Sequence, residues 1–502
     1  FMTYLLGIDL GTSSVKVALF ASDSLRLLAT ADREYPVNHP RHGYAEQDPQ
    51  TWWQAVVQAI HAVLKGSEPD RVKAIGVDGQ MHGLVCLGSD YTPVHPAIIW
   101  ADARVDDEIE QLTTLQKSSA ATMPGLPAAG FAATSALWLS HYQADVLQRT
   151  HVALCPKDYI RLRLTGLVGT DPSDASATWL FDIAAADWAA DVVSFCGLKQ
   201  EQLPRIRPSA QIFAGLSASA AKALDLEAGI PVVTGSADLP AQALGHGLID
   251  PGTALVTVGT GGQVISPLGS LQSGLAPSVY IFQHNVPGRW YAQAAILAGG
   301  LALRWLRDVL GLAARPDAYK YLSELAADVP AGAEGLLFLP YLAGERTPHL
   351  DAAASGVFLG LRLHHRTGHL VRAVMEGVGF ALRECLSLVA PHAAQVTLSG
   401  GVTQSPTWCQ ILADIFGQPI QIAPRDLPRA CFGSAILAGV GSGIYGDVRE
   451  MLRKRAEPKT SIEPHGAEAY SERYEQYQRI YPLLQDEMHL LQAQMDFRPR
   501  LV

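Results

Sequence analysis

Residues 7–16 read Gly-Ile-Asp-Leu-Gly-Thr-Ser-Ser-Val-Lys, with an apolar run on either side of a glycine turn. The runs at residues 4–9 and 15–20 predict two β-strands joined by a turn at residues 11–13. The first strand delivers Asp9 at its end. The turn adds backbone N–H groups and two hydroxyls, and together these groups can hold a phosphate beside a Mg²⁺ ion. A plain β-hairpin with a glycine turn is the alternative explanation.

A second stretch, residues 252–265, repeats this plan as GTALVTVGTGGQVI. An apolar strand leads into the turn Gly-Thr-Gly-Gly at residues 259–262, and a return strand follows. The Gly/Pro/Asp-rich segment GHGLIDPG at residues 245–252 precedes it and is the best candidate for a domain junction. The repetition predicts two similar α/β domains that face each other, so that two turns can clamp one polyphosphate.

Length, charge and cysteine content exclude several classes of protein. The chain has 502 residues, which at roughly 150 per domain predicts about two to four domains. A net charge of −10 argues against a nucleic-acid-binding protein, which needs a basic face. No apolar run approaches the roughly 20 residues of a membrane span, and the start lacks the charged region of a signal peptide. Six cysteines without a Cys-x-x-Cys pair argue against a disulfide scaffold or a zinc site. We therefore predict a cytoplasmic protein with no nucleic-acid or membrane partner.

Helical patterns alternate with the predicted strands. Asp48 followed by Pro49 predicts the N-cap and first residue of a helix, and residues 72–77 predict the next strand. Strand, helix and strand at this spacing are typical of a parallel or mixed α/β sheet. From residue 467 onward the sequence predicts one amphipathic helix, whose aromatic stripe we expect to pack against the body of the protein.

A carboxylate follows another apolar strand at residues 231–238, which read PVVTGSAD. Asp238 should therefore lie exposed at the carboxyl end of a strand, where open α/β sheets bind their ligands. A carboxylate there can take the proton of a substrate hydroxyl, and at its reference pKa of about 3.9 it would be ionised near neutral pH. The alternative explanation is a helix N-cap.

Two further segments place polar or small residues after strands. Gln80, Met81 and His82 follow the strand at residues 72–77; an imidazole can hydrogen-bond a hydroxyl while a thioether covers an apolar sugar face. Ordinary core packing explains the same residues. The turn in LSGGVTQS, residues 398–405, has paired glycines that admit a flat ring, a ribose or a neighbouring helix.

Ten blocks of the sequence, in this order, resemble the FGGY carbohydrate kinases: GIDLGTSSVK, EQDPQTWW, GQMHG, CPKDYIRLRLTG, GSAD, VGTGG, PYLAGERTPH, EGVGF, LSGGVTQS and FGSAILAGVG. The resemblance covers about residues 4–450. It implies an α/β fold of two actin-like (ribonuclease H-like) domains around a central cleft, with ATP and sugar bound between them. The implied units are an N-terminal domain at residues 2–247, a C-terminal domain at 252–450 and a helical extension at 460–502.

The resemblance also implies roles for the residues at the sugar site. Asp238 would be the general base, while Met81 and His82, with Gln80, would contact the sugar. Asp9 would help to hold Mg²⁺. GQMHG and PKDYIRLRLTG are most similar to the members that phosphorylate D-xylulose, so the implied reaction is the ATP-dependent formation of D-xylulose 5-phosphate.

At the nucleotide site, the implied ligands come from the three glycine turns. They are Thr12 and Ser13 in the first turn, Gly259 and Thr260 in the second, and Gly400, Gly401 and Ser405 in the third. The first two turns would meet the phosphates and the third would border the adenosine. We also expect the domains to close when sugar binds, which would exclude water, and a homodimer is one candidate assembly.

The sequence departs from the family pattern at three positions. Leu239, followed by Pro240, stands where a polar Asn or Gln is usual, which bears on the identity of the sugar. Gly261 replaces a Ser of the second turn, and Ser135 replaces a Lys. Three alternatives remain: an FGGY kinase for D-ribulose, another ketopentose or gluconate; a non-catalytic sensor on the same fold; and an actin- or Hsp70-like ATPase.

Overall fold

Two seven-stranded mixed sheets form the frame of the protein in the computed structural model, which describes residues 2–272, 274–454 and 459–496. The first half of the chain contributes the strands β1 (Tyr4–Leu10), β2 (Ser14–Ala21), β3 (Leu27–Glu34), β4 (Glu46–Gln47), β5 (Val72–Gly79), β6 (Val85–Leu87), β7 (Ala97–Ile98), β8 (Val152–Leu154), β9 (Phe181–Asp182), β10 (Asp187–Trp188), β11 (Ile212–Gly215), β12 (Pro231–Val233) and β13 (Ser236–Ala237). The second half contributes β14 (Thr253–Val258), β15 (Gly262–Leu268), β16 (Tyr280–Gln283), β17 (Trp290–Ile296), β18 (Leu337–Leu339), β19 (Val357–Leu359), β20 (Gln395–Gly400), β21 (Ile420–Ile422) and β22 (Thr460–Ile462).

Helices connect these strands and cover the sheets. They are α1 (Pro49–Leu64), α2 (Asp106–Gln116), α3 (Ala132–Tyr142), α4 (Ala144–Arg149), α5 (Pro156–Thr165), α6 (Pro172–Ser176), α7 (Ala190–Phe195), α8 (Ala218–Leu224), α9 (Asp238–Gly245), α10 (Gly300–Val309), α11 (Ala318–Ala327), α12 (Thr367–Val389), α13 (Pro406–Phe416), α14 (Arg429–Gly441), α15 (Val448–Lys454) and α16 (Ala467–Asp496). Among the described residues, none of the helices combines the length and apolar character that a membrane crossing requires.

The two large sheets share the same central arrangement of strands. The first has the order β11-β12-β5-β1-β2-β3, with β13 also paired to β5, and the second has the order β16-β17-β15-β14-β20-β21-β22. In each, the opening hairpin is antiparallel and its first strand pairs in parallel with the strand that follows a helix. The repeated strand–turn–strand pattern of the sequence therefore marks a true duplication, and the predicted two-domain α/β fold is confirmed.

Helix α1 begins where the Asp48-Pro49 pair predicted. The Asp48 carboxylate accepts a hydrogen bond from the Gln50 N–H at 2.9 Å, and Pro49 is the first helical residue. Burial of Trp52, Val56 and other apolar residues on one face anchors the helix to the first sheet.

Helix α14 joins the two halves of the molecule. Although it lies within residues 252–450, it packs against β1 and β5 of the first sheet and against α9. Glycines allow this approach: a Cβ at Gly7 would lie 2.0 Å from the Cys431 carbonyl oxygen, and one at Gly433 would lie 2.0 Å from that of Ala241. The contact is therefore backbone against backbone, closer than any side chain permits.

The long helix α16 packs as its aromatic stripe predicted. Tyr470, Tyr477 and Tyr481 are buried, and the hydroxyl of Tyr470 donates to Glu376 in α12 at 2.7 Å. Residues 497–502, the end of the predicted helical extension, lie outside the described residues.

A fully buried ion cluster lies beside the first sheet. The Lys157 ammonium is 2.8 Å from Asp158, 2.8 Å from Asp171 and 3.2 Å from Asp174. Burial lowers the pKa of Lys157, but the three carboxylates outweigh it and raise that pKa above its usual value. Two of these acids, Asp158 and Asp174, have the spacing of a metal site together with Cys155. The ammonium already lies among them as the compensating cation.

We predict that Gly433→Ala weakens the contact between α14 and α9. The added Cβ would overlap a backbone oxygen that cannot move aside, so the substitution should cost about 1–3 kcal/mol and lower Tm by several degrees. Gly269→Ala is the control, because its Cβ would meet Pro251 Cγ at 3.4 Å and Arg289 Nη1 at 3.8 Å, which are ordinary contacts with side chains. Equal Tm values for the two variants, measured by differential scanning calorimetry, would contradict the prediction.

We also predict that Lys157→Met is strongly destabilising. Met keeps the unbranched shape of the side chain but removes the cation that three buried carboxylates share. Asp158 keeps its ion pair with Arg161 at 3.3 Å, and the loss of the shared cation should cost about 3–5 kcal/mol. The matched control is Lys73→Met on the exposed side of β5, which should stay within about 0.5 kcal/mol. Denaturant unfolding of both variants measures the difference, and a Lys157→Met protein as stable as the control would show that the cluster does not need its charge.

Candidate active site

Three carboxylates meet where the carboxyl ends of three strands of the first sheet lie side by side. Asp9 on β1 pairs with Asp78 on β5 in parallel register, and β13, which pairs with the end of β5, leads directly into Asp238. Burial raises the pKa of Asp9. The pKa of Asp78 is raised well above its usual value, because burial and the negative charge of Asp9 both oppose its ionisation. These groups could hold a hard cation, since carboxylate oxygens are the ligands that Mg²⁺ prefers.

Asp78 was not predicted from the sequence. Its carboxylate is fully buried and accepts a hydrogen bond from the Ser434 hydroxyl of α14 at 2.5 Å. The predicted strand ended at Val77, one residue too early, whereas β5 continues to Gly79. The carboxylate at the end of the apolar run, two residues before Gln80, was the signal that could have identified it.

Asp238 is the first residue of α9 and is partly exposed. Its Oδ1 accepts a hydrogen bond from the Leu239 N–H at 2.8 Å. Burial, and then the charge of Asp9, raise the pKa of Asp238 to about 7. The expectation of an ordinary carboxyl that is fully ionised near neutral pH is therefore wrong, because the side chain loses much of its hydration beside another acid.

His82 presents one ring nitrogen as an acceptor. Its Nδ1 lies 2.6 Å from the carbonyl oxygen of Ala177, which can only accept, so Nδ1 carries the proton. Burial lowers the pKa of His82 to about 4, so the ring is neutral at pH 7 and Nε2 has a free lone pair. The rings of Phe131 and Phe282 flank it, with centroids 4.6 Å and 5.8 Å away.

Met81 and Gln80 lie deeper than His82. Met81 is 3% exposed, and its Sδ accepts a hydrogen bond from the Tyr291 hydroxyl at 3.7 Å. The Gln80 amide donates to Gln47 Oε1 at 3.0 Å, and Gln47 in turn donates to the Thr12 carbonyl at 2.8 Å. The side chain of Gln80 therefore braces the first glycine turn from behind.

The first glycine turn has a tryptophan partner that sequence reasoning missed. Thr12 is partly exposed and Ser13 is exposed at the tip of the turn. The indole N–H of Trp100 donates to Thr12 Oγ1 at 2.8 Å, although Trp100 is 42% exposed. Its position directly after the apolar run at residues 97–99 was the available signal.

A cavity of about 660 Å³ opens beside the second and third turns. Four predicted residues line it: Gly259, Thr260, Gly401 and Ser405. Sequence reasoning missed the lining residues from α10, α11 and α13, which include Arg304, Tyr319, Lys320, Ser323, Glu324 and Trp408. The volume is in the range of pockets that bury a small ligand or cofactor.

Two residues predicted to bind the nucleotide, Gly400 and Ser405, have structural roles in the third turn: Gly400 allows a close backbone contact, and Ser405 caps a helix. Gly400 precedes the cavity with φ 88°, and a Cβ there would lie 2.4 Å from the Val258 carbonyl oxygen. Ser405 caps α13 by accepting the Trp408 N–H at 3.1 Å, and its hydroxyl is 2.9 Å from that of Ser323. Thr12 and Ser13 do not line this cavity, because they belong to the first sheet.

The structure shows the surroundings of the residues that depart from the family pattern. A Cβ at Gly261 would lie 2.8 Å from the Ile296 carbonyl oxygen, so glycine suits this turn. Leu239 is partly buried against the apolar cluster that contains Met81. Ser135 is 1% exposed within α3, and Pro240 is buried in the first turn of α9.

Comparison with known proteins agrees with this arrangement. Residues 4–245 match the N-terminal domain of the FGGY family of carbohydrate kinases, and residues 254–442 match its C-terminal domain. The chain is 34% identical over 485 residues to xylulose kinase from Escherichia coli, covering 95% of this chain and 99% of that protein. It is 28% identical over 466 residues to gluconokinase from Bacillus subtilis, covering 88% of each chain.

Comparison with solved structures leads to the same family. The crystal structure of a xyloylose kinase from Brucella ovis superimposes with a TM-score of 0.90 at 32% identity, and the match covers 97% of this chain and 100% of that one. Together the two family domains span most of the chain, in the order and positions of the glycine turns described above. The chain therefore belongs to the FGGY family of carbohydrate kinases and is a sugar kinase that acts with ATP.

Proposed function

We propose that this kinase transfers the γ-phosphoryl group of MgATP to the terminal hydroxyl of D-xylulose, with Asp238 as the general base. The observation that carries the proposal is the position of Asp238, a partly exposed carboxylate that interacts with Asp9 at the carboxyl ends of β1, β5 and β13. The choice of sugar is supported by relatives named xylulose kinase, which align over nearly the whole chain.

In this proposal the sugar lies against His82. The free Nε2 lone pair accepts a hydrogen bond from a sugar hydroxyl, and the flanking rings of Phe131 and Phe282 exclude water. The Asp238 carboxylate takes the proton of the terminal hydroxyl as that oxygen bonds to the γ-phosphorus. The bond between this phosphorus and the ADP oxygen breaks, so the products are D-xylulose 5-phosphate, ADP and a protonated Asp238.

The nucleotide would occupy the cavity beside the second and third turns. Gly259 and Thr260 would meet the phosphates through backbone N–H groups, while Gly401 and Ser405 would border the adenosine. The Asp9 carboxylate would hold Mg²⁺, directly or through water, and this ion would neutralise the negative charge that develops on the phosphoryl oxygens. Thr12 and Ser13 would approach the transferred phosphate from the first sheet.

A second candidate is a kinase of the same family that acts on another sugar or on gluconate. The partly buried, apolar Leu239 next to the proposed base favours it, because it removes a polar contact at that position. The similarity to gluconokinase from Bacillus subtilis is the corresponding finding among relatives. Closure of the domains, the homodimer and the cytoplasmic location stay predictions.

We predict sugar-dependent ADP release that is strongest with D-xylulose. The panel contains D-xylulose, D-ribulose, L-ribulose, L-fuculose, D-gluconate, glycerol and a blank without sugar. Asp238→Asn should lower kcat by about 100- to 10,000-fold, because the hydroxyl loses its proton acceptor. Asp107→Asn, an exposed acid in α2, is the control and should leave kcat unchanged.

Each outcome of this panel has a distinct meaning. A larger kcat/KM for another sugar would contradict the choice of D-xylulose but keep the mechanism. ATP hydrolysis at the kinase rate in the blank would favour a nucleotide-driven switch. Binding of ATP without any ADP release would favour a sensor. Full activity of Asp238→Asn would refute the role of the base.

We predict that kcat/KM for the sugar depends on pH with an apparent pKa of about 7. The raised pKa means that Asp238 is protonated below pH 7, where it cannot accept a proton. The rate should therefore fall about tenfold per pH unit below 7 and level off above about 8. A profile that is flat down to pH 5 would indicate a carboxyl with the ordinary pKa of about 3.9 and would contradict the prediction.

A further inference from the structure

A side chain from another element holds the backbone directly before Asp238. Ser173 of α6 is fully buried, and its Oγ accepts a hydrogen bond from the Ala237 N–H at 2.9 Å. Ala237 is the N-cap of α9, so its orientation sets the direction in which Asp238 leaves the sheet. The same Oγ donates its hydrogen to Asp171 Oδ2 at 2.6 Å. The hydroxyl is therefore fixed in direction, and its oxygen lone pair faces Ala237.

The buried ion cluster fixes the acid that receives this hydrogen. Asp171 Oδ1 accepts from the Lys157 ammonium at 2.8 Å, and Oδ2 also accepts from the Ser209 hydroxyl at 2.7 Å and the Ser173 N–H at 3.0 Å. Lys157 and Asp171 have no exposed surface. A continuous series of hydrogen bonds thus runs from the ammonium through the carboxylate and the hydroxyl to the backbone of β13.

The segment that carries Asp238 needs such an anchor. Strand β13 has two residues, and Gly235 before it adopts φ 91°, a conformation that side chains rarely allow. The Ala237 N–H donates to the Ser173 hydroxyl oxygen at 2.9 Å. The Asp238 carboxylate itself is held within this segment by the Leu239 N–H. Its placement therefore depends on the backbone of β13.

We propose that Ser173, held by the Lys157–Asp171 ion pair, is a positioning residue that aims Asp238 at the sugar hydroxyl. The proposal rests on the proposed function, in which Asp238 is the base. Ser173 reaches Asp238 through the backbone of β13, where its Oγ accepts from the Ala237 N–H and lies 3.5 Å from the Ser236 hydroxyl. Its loss therefore misplaces the base without removing a group that the proposed function places on sugar or nucleotide. A displacement of about 1 Å at a reacting group can cost about 100-fold in rate.

The test compares Ser173→Ala with Ser176→Ala. Ser176 is its match: it is fully buried in the same helix, and its Oγ accepts the Gln283 N–H at 2.9 Å, but it does not hold β13. We expect Ser173→Ala to lower kcat by about 10- to 100-fold with KM for ATP unchanged. Ser176→Ala should stay within about threefold of the wild-type kcat. If the two variants show the same kcat, the proposal is overturned.

A double-mutant cycle with Asp238→Asn separates positioning from general destabilisation. If Ser173 acts through Asp238, Ser173→Ala should have no further effect on the residual rate of Asp238→Asn. Additive losses would overturn the proposal. Should Ser173→Ala fail to fold, Ser173→Cys carries the same test, since a thiol keeps the volume but is a weak acceptor.

Amide hydrogen exchange gives a readout that does not depend on activity. Ser173→Ala should speed exchange of the Ala237 amide at least tenfold relative to Ser176→Ala, and unchanged exchange would overturn the anchor. A wild-type protein that releases no ADP with any sugar would refute the proposed function, while the exchange experiment would still decide whether Ser173 holds β13. If the wild-type protein is active and Ser173→Ala and Ser176→Ala have equal kcat values, only the positioning role of Ser173 is refuted.

Discussion

The parallel register of β1, β5 and β13 is the constraint on which the rest of the site depends. It brings Asp9, Asp78 and Asp238 to one edge of the first sheet, where burial and mutual repulsion oppose their ionisation. A carboxylate in this environment accepts a proton more readily than an ordinary one, because its pKa is close to neutral. The same desolvation that costs stability therefore suits Asp238 to the proposed role of base.

The second constraint is the close contact of α14 with the first sheet. Backbone approaches at Gly7, Gly76 and Gly433 bring a helix of the second half against β1, β5 and α9, and the Ser434 hydroxyl reaches Asp78. The two halves of the chain are thus joined at the carboxylate cluster itself. The cavity proposed for the nucleotide, whose walls come from the second half, consequently has a defined position relative to that cluster.

Local patterns allowed much of the fold to be predicted. Glycine turns between apolar runs identified β1, β2, β14 and β15, and the Asp48-Pro49 pair identified the start of α1, because those elements depend on nearby residues. The pKa of Asp238 could not be predicted in this way, since it depends on burial by distant segments. The cavity walls at α10 and α11 and the Ser173 contact were missed for the same reason: tertiary packing alone brings them to the site.

A crystal structure of the complex with D-xylulose and a non-hydrolysable MgATP analogue would test the central claim most directly. The proposed mechanism predicts that the terminal hydroxyl oxygen lies about 2.6–3.2 Å from the Asp238 carboxylate. It also predicts that the nucleotide occupies the cavity lined by Gly401 and Ser405, with its γ-phosphate facing the same hydroxyl. A sugar hydroxyl placed beside another group, with Asp238 turned away from the γ-phosphate, would contradict the account.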